Sequence, residues 1–157
     1  MVTKMLRLPK LTDYAVVLLT RMAALPPAQV QTTADLAART GLAAPTVAKI
    51  LKQLTKQGLL TAQRGTHGGY RLARAPAQIT VADIVIALDG PVAVTDCVND
   101  QHGQCGLEQH CVMRGQWDTI NRAIKSALAA VTLADMMHAP QSAPQSAAAA
   151  ETAQAAL

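Results

Sequence analysis

Cys97, Cys105 and Cys111 are the only cysteines in the chain, and all three fall inside the stretch DCVNDQHGQCGLEQHCVMRG, residues 96–115. Gaps of seven and five residues separate them, and neither gap matches the CxxC knuckle of an ordinary structural zinc site. Iron favours thiolate sulfur, and an iron–sulfur cluster is large enough to accept ligands spread along a loop. Three thiols among Gly and Asn residues therefore suit a cluster of the 2Fe-2S or the 4Fe-4S type. Such a cluster needs a fourth donor, for which the neighbouring candidates are Asp96, His102, Glu108 and His110. A zinc site completed by His102 or His110, and three unliganded thiols, are the alternatives that spacing leaves open. A thiol enzyme with His102 or His110 as base is a weaker reading, because a Gly-containing loop offers no evident substrate pocket. The chain is expected not to be an enzyme.

Around this segment the charge is segregated. Up to Ile79 the chain carries eleven lysines and arginines against Asp13 and Asp35, a net +9; the remainder carries three against eight acidic residues, a net −5. A basic half joined to an acidic half points to a polyanion partner for the first and a different task for the second. Trp117, Tyr14 and Tyr70 are the only aromatic residues. They are too few for the stacking platform of a single-strand binder, so duplex DNA is the expected partner. No apolar run approaches the roughly 18 residues that cross a bilayer, and MVTKMLRLPKLTDY lacks the pattern of a secretory signal. The expectation is a cytoplasmic protein with no membrane partner, in a reducing compartment where an odd number of cysteines argues for metal or reactive thiols rather than disulfides.

The elements that must position these groups are mainly helical. Thr12 is expected to cap a first helix with Val16, Leu18, Leu19, Met22 and Leu25 on its apolar face, stopped by Pro26 and Pro27. Thr33 is expected to cap a short helix, ADLAART, closed by Gly41. APTVAKILKQLTKQG follows, with Pro45 in its first turn and Gly58 at its end. Val47, Ile50, Leu51 and Leu54 would be buried, leaving Thr46, Lys49, Lys52, Gln53 and Lys56 for solvent or a groove. Short helix, glycine turn and longer helix form a helix-turn-helix pattern. LLTAQRG and GGYRLAR then read as a hairpin wing with Arg64 at its tip. There Arg64 could enter a minor groove, while Gly65, Gly68 and Gly69 let the backbone approach phosphate. His67 and Tyr70 join Thr33, Thr46, Lys49, Lys52, Arg64, Gly65 and Gly68 as candidate DNA contacts. Thr80 should cap TVADIVIALDG. A long helix from about Val112 to Leu128 carries Trp117, Ile120, Ile124 and Leu128, with Val131 beyond, in a stripe that needs a partner. From His138 the chain is Ala, Gln, Pro and Ser with one charge, the composition of a disordered tail.

LTDYAVVLL, TTADLAARTGLAAPTVAKILKQLTKQGLL, RGTHGGYRLAR, ITVADIVIALDGP and three cysteines before a long helix together resemble the Rrf-type winged-helix regulators, which include the Isc regulator and the nitric-oxide-sensing Nsr repressor. KLTDYA and HGGYRLAR are similar to the branch of SUF-system iron–sulfur assembly regulators. The resemblance covers residues 5 to about 137. It implies a homodimer crossed through the long helix, reading a palindromic operator as a repressor of cluster-assembly genes, with the cluster on Cys97, Cys105 and Cys111. In the Isc branch a histidine three residues after the last cysteine completes the site; here that position is Arg114, which cannot ligate iron. In the nitric-oxide branch an aspartate of the partner's first helix does so, and the matching residue is Asp13, whose other reading is an acidic first-turn residue favoured by the helix dipole. The expected fold class is mainly α: a winged helix-turn-helix domain over 1–90 with a small β-hairpin wing, a cluster-binding loop over 91–111, a long C-terminal dimerisation helix region over 112–137 and a tail over 138–157.

Overall fold

The computed structural model describes residues 8–95, Val98, 112–113 and 115–138. Helix α1 runs Lys10–Ala23, α2 Thr33–Thr40 and α3 Ala44–Lys56; strands β1 (Leu60–Gln63) and β2 (Gly69–Leu72) follow, then a 3-10 turn, Pro76–Gln78. Helix α4 spans Val81–Asp89, α5 Gln116–Ala130 and α6 Leu133–Met137. Within the described residues this is a mainly helical domain with one two-stranded antiparallel sheet, the architecture expected from the pattern of apolar residues and turn signals.

Periodicity explains the core. Leu18, Leu19 and Met22 of α1, Leu36 of α2, Val47, Ile50, Leu51 and Leu54 of α3, and Ile84 of α4 meet Leu59, Leu60 and Ile79 in one buried cluster. Burying each of these side chains contributes about 1.5–3 kcal/mol relative to leaving it exposed. Gly41, with φ 71°, ends α2 in the left-handed conformation, its N–H donating to the Ala37 carbonyl at 2.9 Å. Glycine adopts that conformation without the Cβ clash other residues meet, so the chain can turn sharply into α3.

The helix starts correct two of the expectations. Thr12 is not a cap: α1 begins after Pro9, and Thr12 lies buried inside the helix, its hydroxyl donating to Asp89 Oδ2 at the end of α4. The cap of α2 is Thr32 rather than Thr33. Thr32 Oγ1 accepts from the Asp35 N–H (3.1 Å), and the Asp35 carboxylate accepts from the Thr32 N–H (3.2 Å), a reciprocal capping box that requires the acid three residues after the cap. Thr80 does cap α4, in the same arrangement with Asp83.

The C-terminal helix also differs from its expected span. Val112 and Met113 lie in a turn, Val112 being 94% exposed, and Gly115 with φ 83° precedes α5, which therefore starts at Gln116 and runs on to Ala130. Val131 adopts an extended conformation beyond the helix. The next element had no counterpart in the sequence reading. Val81 N–H donates to the Val131 carbonyl (2.9 Å) and Leu133 N–H to the Ile79 carbonyl (2.7 Å), pinning residues 131–133 antiparallel to 79–81. Helix α6, capped by Thr132 with Asp135, then packs on α1, and Leu133 is fully buried in the common core.

Candidate nucleic-acid interface

On α3 the buried residues Val47, Ile50, Leu51 and Leu54 leave the opposite side of the helix to solvent. Lys49, Lys52 and Lys56 are all exposed there. At 100° per residue they lie within roughly 60° of one another around the helix axis, a single cationic stripe. Thr46, in the first turn, is half-buried. Gln53 is not free for contacts as expected: it is half-buried and its Oε1 is shielded from solvent. From Leu36 to Ala82 the sequence has no acidic residue and carries seven lysines and arginines, so α3 and the wing present one sign of charge.

The wing follows directly. Its register pairs Leu60 with Leu72, Thr61 with Arg71, Ala62 with Tyr70 and Gln63 with Gly69. Leu60 is buried, whereas Thr61, Ala62 and Gln63 are exposed, so the hairpin is anchored at its base and projects from the domain. The connecting loop is tight. Gly68 N–H donates to the Gly65 carbonyl at 2.9 Å, and a Cβ on Gly68 would stand 2.6 Å from the Gln63 carbonyl oxygen. Gly65, with φ 111°, occupies backbone space that side-chain-bearing residues avoid. Arg64 and His67 are exposed on this loop, and Arg64 has no hydrogen bond or ion pair among the described residues. Tyr70 sits differently from these two: it is half-buried against the core, and its backbone exchanges hydrogen bonds with Gln31 at 2.9 and 2.8 Å.

At the other end of the interface, Thr33 occupies the first turn of α2 and is half-buried. Asp35 in that turn is held by the Thr32 hydroxyl and backbone, and these hydrogen bonds lower its pKa below the ordinary 3.8. Asp135 is lowered in the same way by Thr132. Of the expected metal ligands, Cys97, Cys105 and Cys111 lie outside the described residues, as do Asp96, His102, Glu108, His110 and Arg114. Asp13 is described: it is exposed in the first turn of α1, and its carboxylate has no hydrogen bond or ion pair among the described residues. The sequence reading missed Gln31, a buried polar residue in an irregular segment that flanks β2; a lone Gln between two turns carries no local signal.

The comparisons with known proteins agree with this geometry. Residues 8–139 match the Rrf2 family, described as iron-dependent transcriptional regulators. Protein rrf2 of Nitratidesulfovibrio vulgaris is 33% identical over 113 residues, 72% of this chain and 75% of that protein. The HTH-type transcriptional regulator IscR of Aliivibrio salmonicida is 31% identical over 106 residues, 66% of this chain but only 61% of that protein. Among solved structures, IscR of T. potens superposes with a TM-score of 0.62 at 28% identity, covering 84% of this chain and 86% of that one. CymR, the global cysteine regulator of B. subtilis, superposes with a TM-score of 0.65 over 85% of this chain and 97% of that one; at 24% identity it supports the fold alone. These relatives are transcriptional regulators rather than enzymes, and no helix among the described residues is long and apolar enough to cross a membrane. The chain belongs to the Rrf2 family of winged-helix, DNA-binding transcriptional regulators.

Proposed function

We propose that the protein is a homodimeric repressor, acting in the cytoplasm, that reads a palindromic duplex operator and reports iron–sulfur status to the genes of cluster assembly. The observation that carries the DNA reading is the stripe of Lys49, Lys52 and Lys56 on α3 beside a wing whose tip offers Arg64, exposed and without a partner among the described residues. With α3 in the major groove, the lysines lie toward phosphate and Thr46 toward the groove wall. Arg64, with Gly65, His67 and Gly68 beside it, lies toward the flanking minor groove. Thr33 at the start of α2 offers a hydroxyl and an N–H to the backbone, and Tyr70 supports the wing that presents Arg64. The exposure of α5 supports a dimer. Its stripe is incompletely covered by its own chain, Ile120 being 45% exposed, and a second copy of the same helix would bury it.

The donor set fits an iron–sulfur cluster. Cys97, Cys105 and Cys111 supply three thiolates, and Asp13 is an accessible carboxylate with no competing partner among the described residues, free to be given to the other subunit. When bound, the cluster supplies iron that reacts with oxidants and nitric oxide. The rest is done by the chain itself. Cys97, Cys105 and Cys111 of one subunit and Asp13 of the other, holding the same cluster between them, would set the spacing of the two α3 helices, and that spacing would decide the fit to half-sites about one helical turn apart.

The visible spectrum of anaerobically purified protein tests this reading. Absorption in the visible is expected, lost in Cys97→Ala, Cys105→Ala and Cys111→Ala with the dimer intact. In Asp13→Ala the spectrum should be retained but changed in shape and shorter-lived in air. His102→Ala and His110→Ala should leave it unaltered. A colourless protein that holds zinc or no metal would overturn the cluster while leaving the DNA reading in place.

A further inference from the structure

Beyond Ala23 the chain passes through Leu25, Pro26 and Pro27 before it reaches Gln31 beside β2. Between this path, β2 and the 3-10 turn a cavity of about 410 Å³ opens. Its size lies within the roughly 300–1,000 Å³ of small-molecule sites. Leu25, Leu72 and Pro76 give it apolar walls; Gln31, Arg71 and Arg74 are its notable polar ones.

Gln31 is the informative residue. It is only 3% exposed, its backbone is fixed by two hydrogen bonds to Tyr70, and its Oε1 is buried with no hydrogen-bond partner. A buried carbonyl oxygen left unpaired is costly, and a donor arriving with a ligand removes the cost. The two guanidinium groups are held from one side. Arg71 Nε donates to Thr61 Oγ1 (3.2 Å); Arg74 Nη1 donates to the Gln78 carbonyl (3.3 Å), and its Nη2 stands 3.8 Å from Asp83 Oδ2. Their remaining N–H groups have no partner among the described residues, and together they favour an anion at the cavity mouth.

We propose that this cavity binds a small carboxylate bearing a neighbouring hydroxyl or amide N–H and a short apolar body. The carboxylate lies toward Arg71 and Arg74, the donor meets Gln31 Oε1, and the apolar body packs on Leu25, Leu72 and Pro76. Such a ligand bridges β2 to the segment that leaves α1, and so holds the wing in one setting. Resting on the reading of the wing as a DNA contact, ligand and operator then change each other's affinity by the same factor.

The binding step is tested on the full chain without DNA or iron, so that its failure is separate from failure of the DNA reading. N-acetyl-leucine is the probe, followed by 1H–15N spectra. Titration is expected to shift the Gln31 side-chain amide and the Leu72 and Ala73 backbone amides, saturating in the millimolar range. N-acetyl-leucinamide, without the carboxylate, and 4-methylpentanoate, without the donor, should each bind about tenfold more weakly. Arg71→Ala should abolish the preference for carboxylate over amide, and Gln31→Leu the preference for the donor-bearing acid. Arg71 is exposed, so its variant decides the matter even where Gln31→Leu fails to fold. No shift of these signals up to about 10 mM overturns the site. Shifts that Arg71→Ala leaves unchanged in size and preference overturn it equally.

Discussion

Replacing Lys52 by Ala removes one cation from the middle of the α3 stripe and touches nothing else. Lys52 is exposed, it has no ion pair among the described residues, and the core side chains Ile50, Leu51 and Leu54 lie on the other face of the helix. Surface substitutions of this kind change stability by no more than about 0.5 kcal/mol, and Ala is the best helix former, so the variant remains folded. Its effect on DNA can be worked out. Each phosphate neutralised contributes about 0.9 to the slope of log K against log salt, and the proposed dimer would place Lys52 at two phosphates, so the slope should fall by roughly two. Between 50 and 200 mM salt that difference corresponds to about tenfold in affinity, which the parent loses and the variant never had. The assay is fluorescence anisotropy on a labelled operator and on a scrambled duplex, at several salt concentrations. Both duplexes should lose affinity to a similar extent, because phosphate contacts carry no base information. An unchanged slope in a folded variant refutes the placement of α3 against phosphate. A loss confined to one operator base pair refutes it in another way, by making Lys52 a reader of bases.

Arg64→Ala should weaken binding and flatten the preference for A-T-rich flanks, read by competition with G-C-rich flanks, since an inserted arginine senses the potential of a narrow minor groove. Leu133→Ala should cost about 2–5 kcal/mol and lower the melting temperature by roughly 5–15 °C, because the side chain is fully buried against the N-terminal core; an unchanged melt would mean that α6 is not docked. Asp35 and Asp135 have folded pKa values lowered below 3.8 by their Thr hydrogen bonds, so their stabilisation is present above the unfolded value and disappears as pH falls through the lowered folded values. Melts followed by circular dichroism between about pH 5 and pH 3 should therefore show a steeper fall for the parent than for the Asp35→Asn, Asp135→Asn variant, and equal slopes would contradict the capping boxes.

The helix-turn-helix and its wing were legible because their signals are local. Gly41, Pro45 and Gly58 mark the ends of α2 and α3, the buried stripe of α3 recurs at helical spacing, and glycine clusters bracket the hairpin loop. Two errors came from threonines that look alike in sequence. Thr32 and Thr33 are both plausible caps, and only the position of Asp35 three residues beyond Thr32 decides between them. Thr12 has the composition of a cap, but its hydroxyl is used by Asp89, 77 residues away, a tertiary contact that no local window contains. Helix α6 escaped for a related reason. Five residues are too few for periodicity, Met136 and Met137 are exposed, and of its side chains only Leu133 is buried. Its one sequence signal was Thr132 followed three residues later by Asp135, the same box that marks Thr80 and α4. At the start of α5 the opposite happened. Val112 and Met113 are apolar and were counted into the helix, yet they are exposed in a turn, because hydrophobicity without periodic burial does not make a helix.

The Thr12–Asp89 hydrogen bond and the Thr80–Thr132 bridge bear on how, on the proposed reading, a signal in the cysteine segment would reach DNA. The chain leaves α4 at Asp89, just before the segment begins, and Asp89 is bonded to Thr12, the neighbour of Asp13 in α1. It returns through α5 to Thr132, which forms a bridge with Thr80, the cap of α4. The connection that carries Cys97, Cys105 and Cys111 is thus anchored at both ends on the same nine-residue helix, α4, and through it on α1. Helix α4 packs on α3 and on α5, and α1 packs on α2, α3 and β2. A close-packed core does not absorb a shift at one such contact by compressing; neighbouring elements move together. Under the proposed function, a change in the connection would act first on α4 and α1, and both pack directly on α3. On the proposed reading, the cysteines would need no contact with DNA to control it.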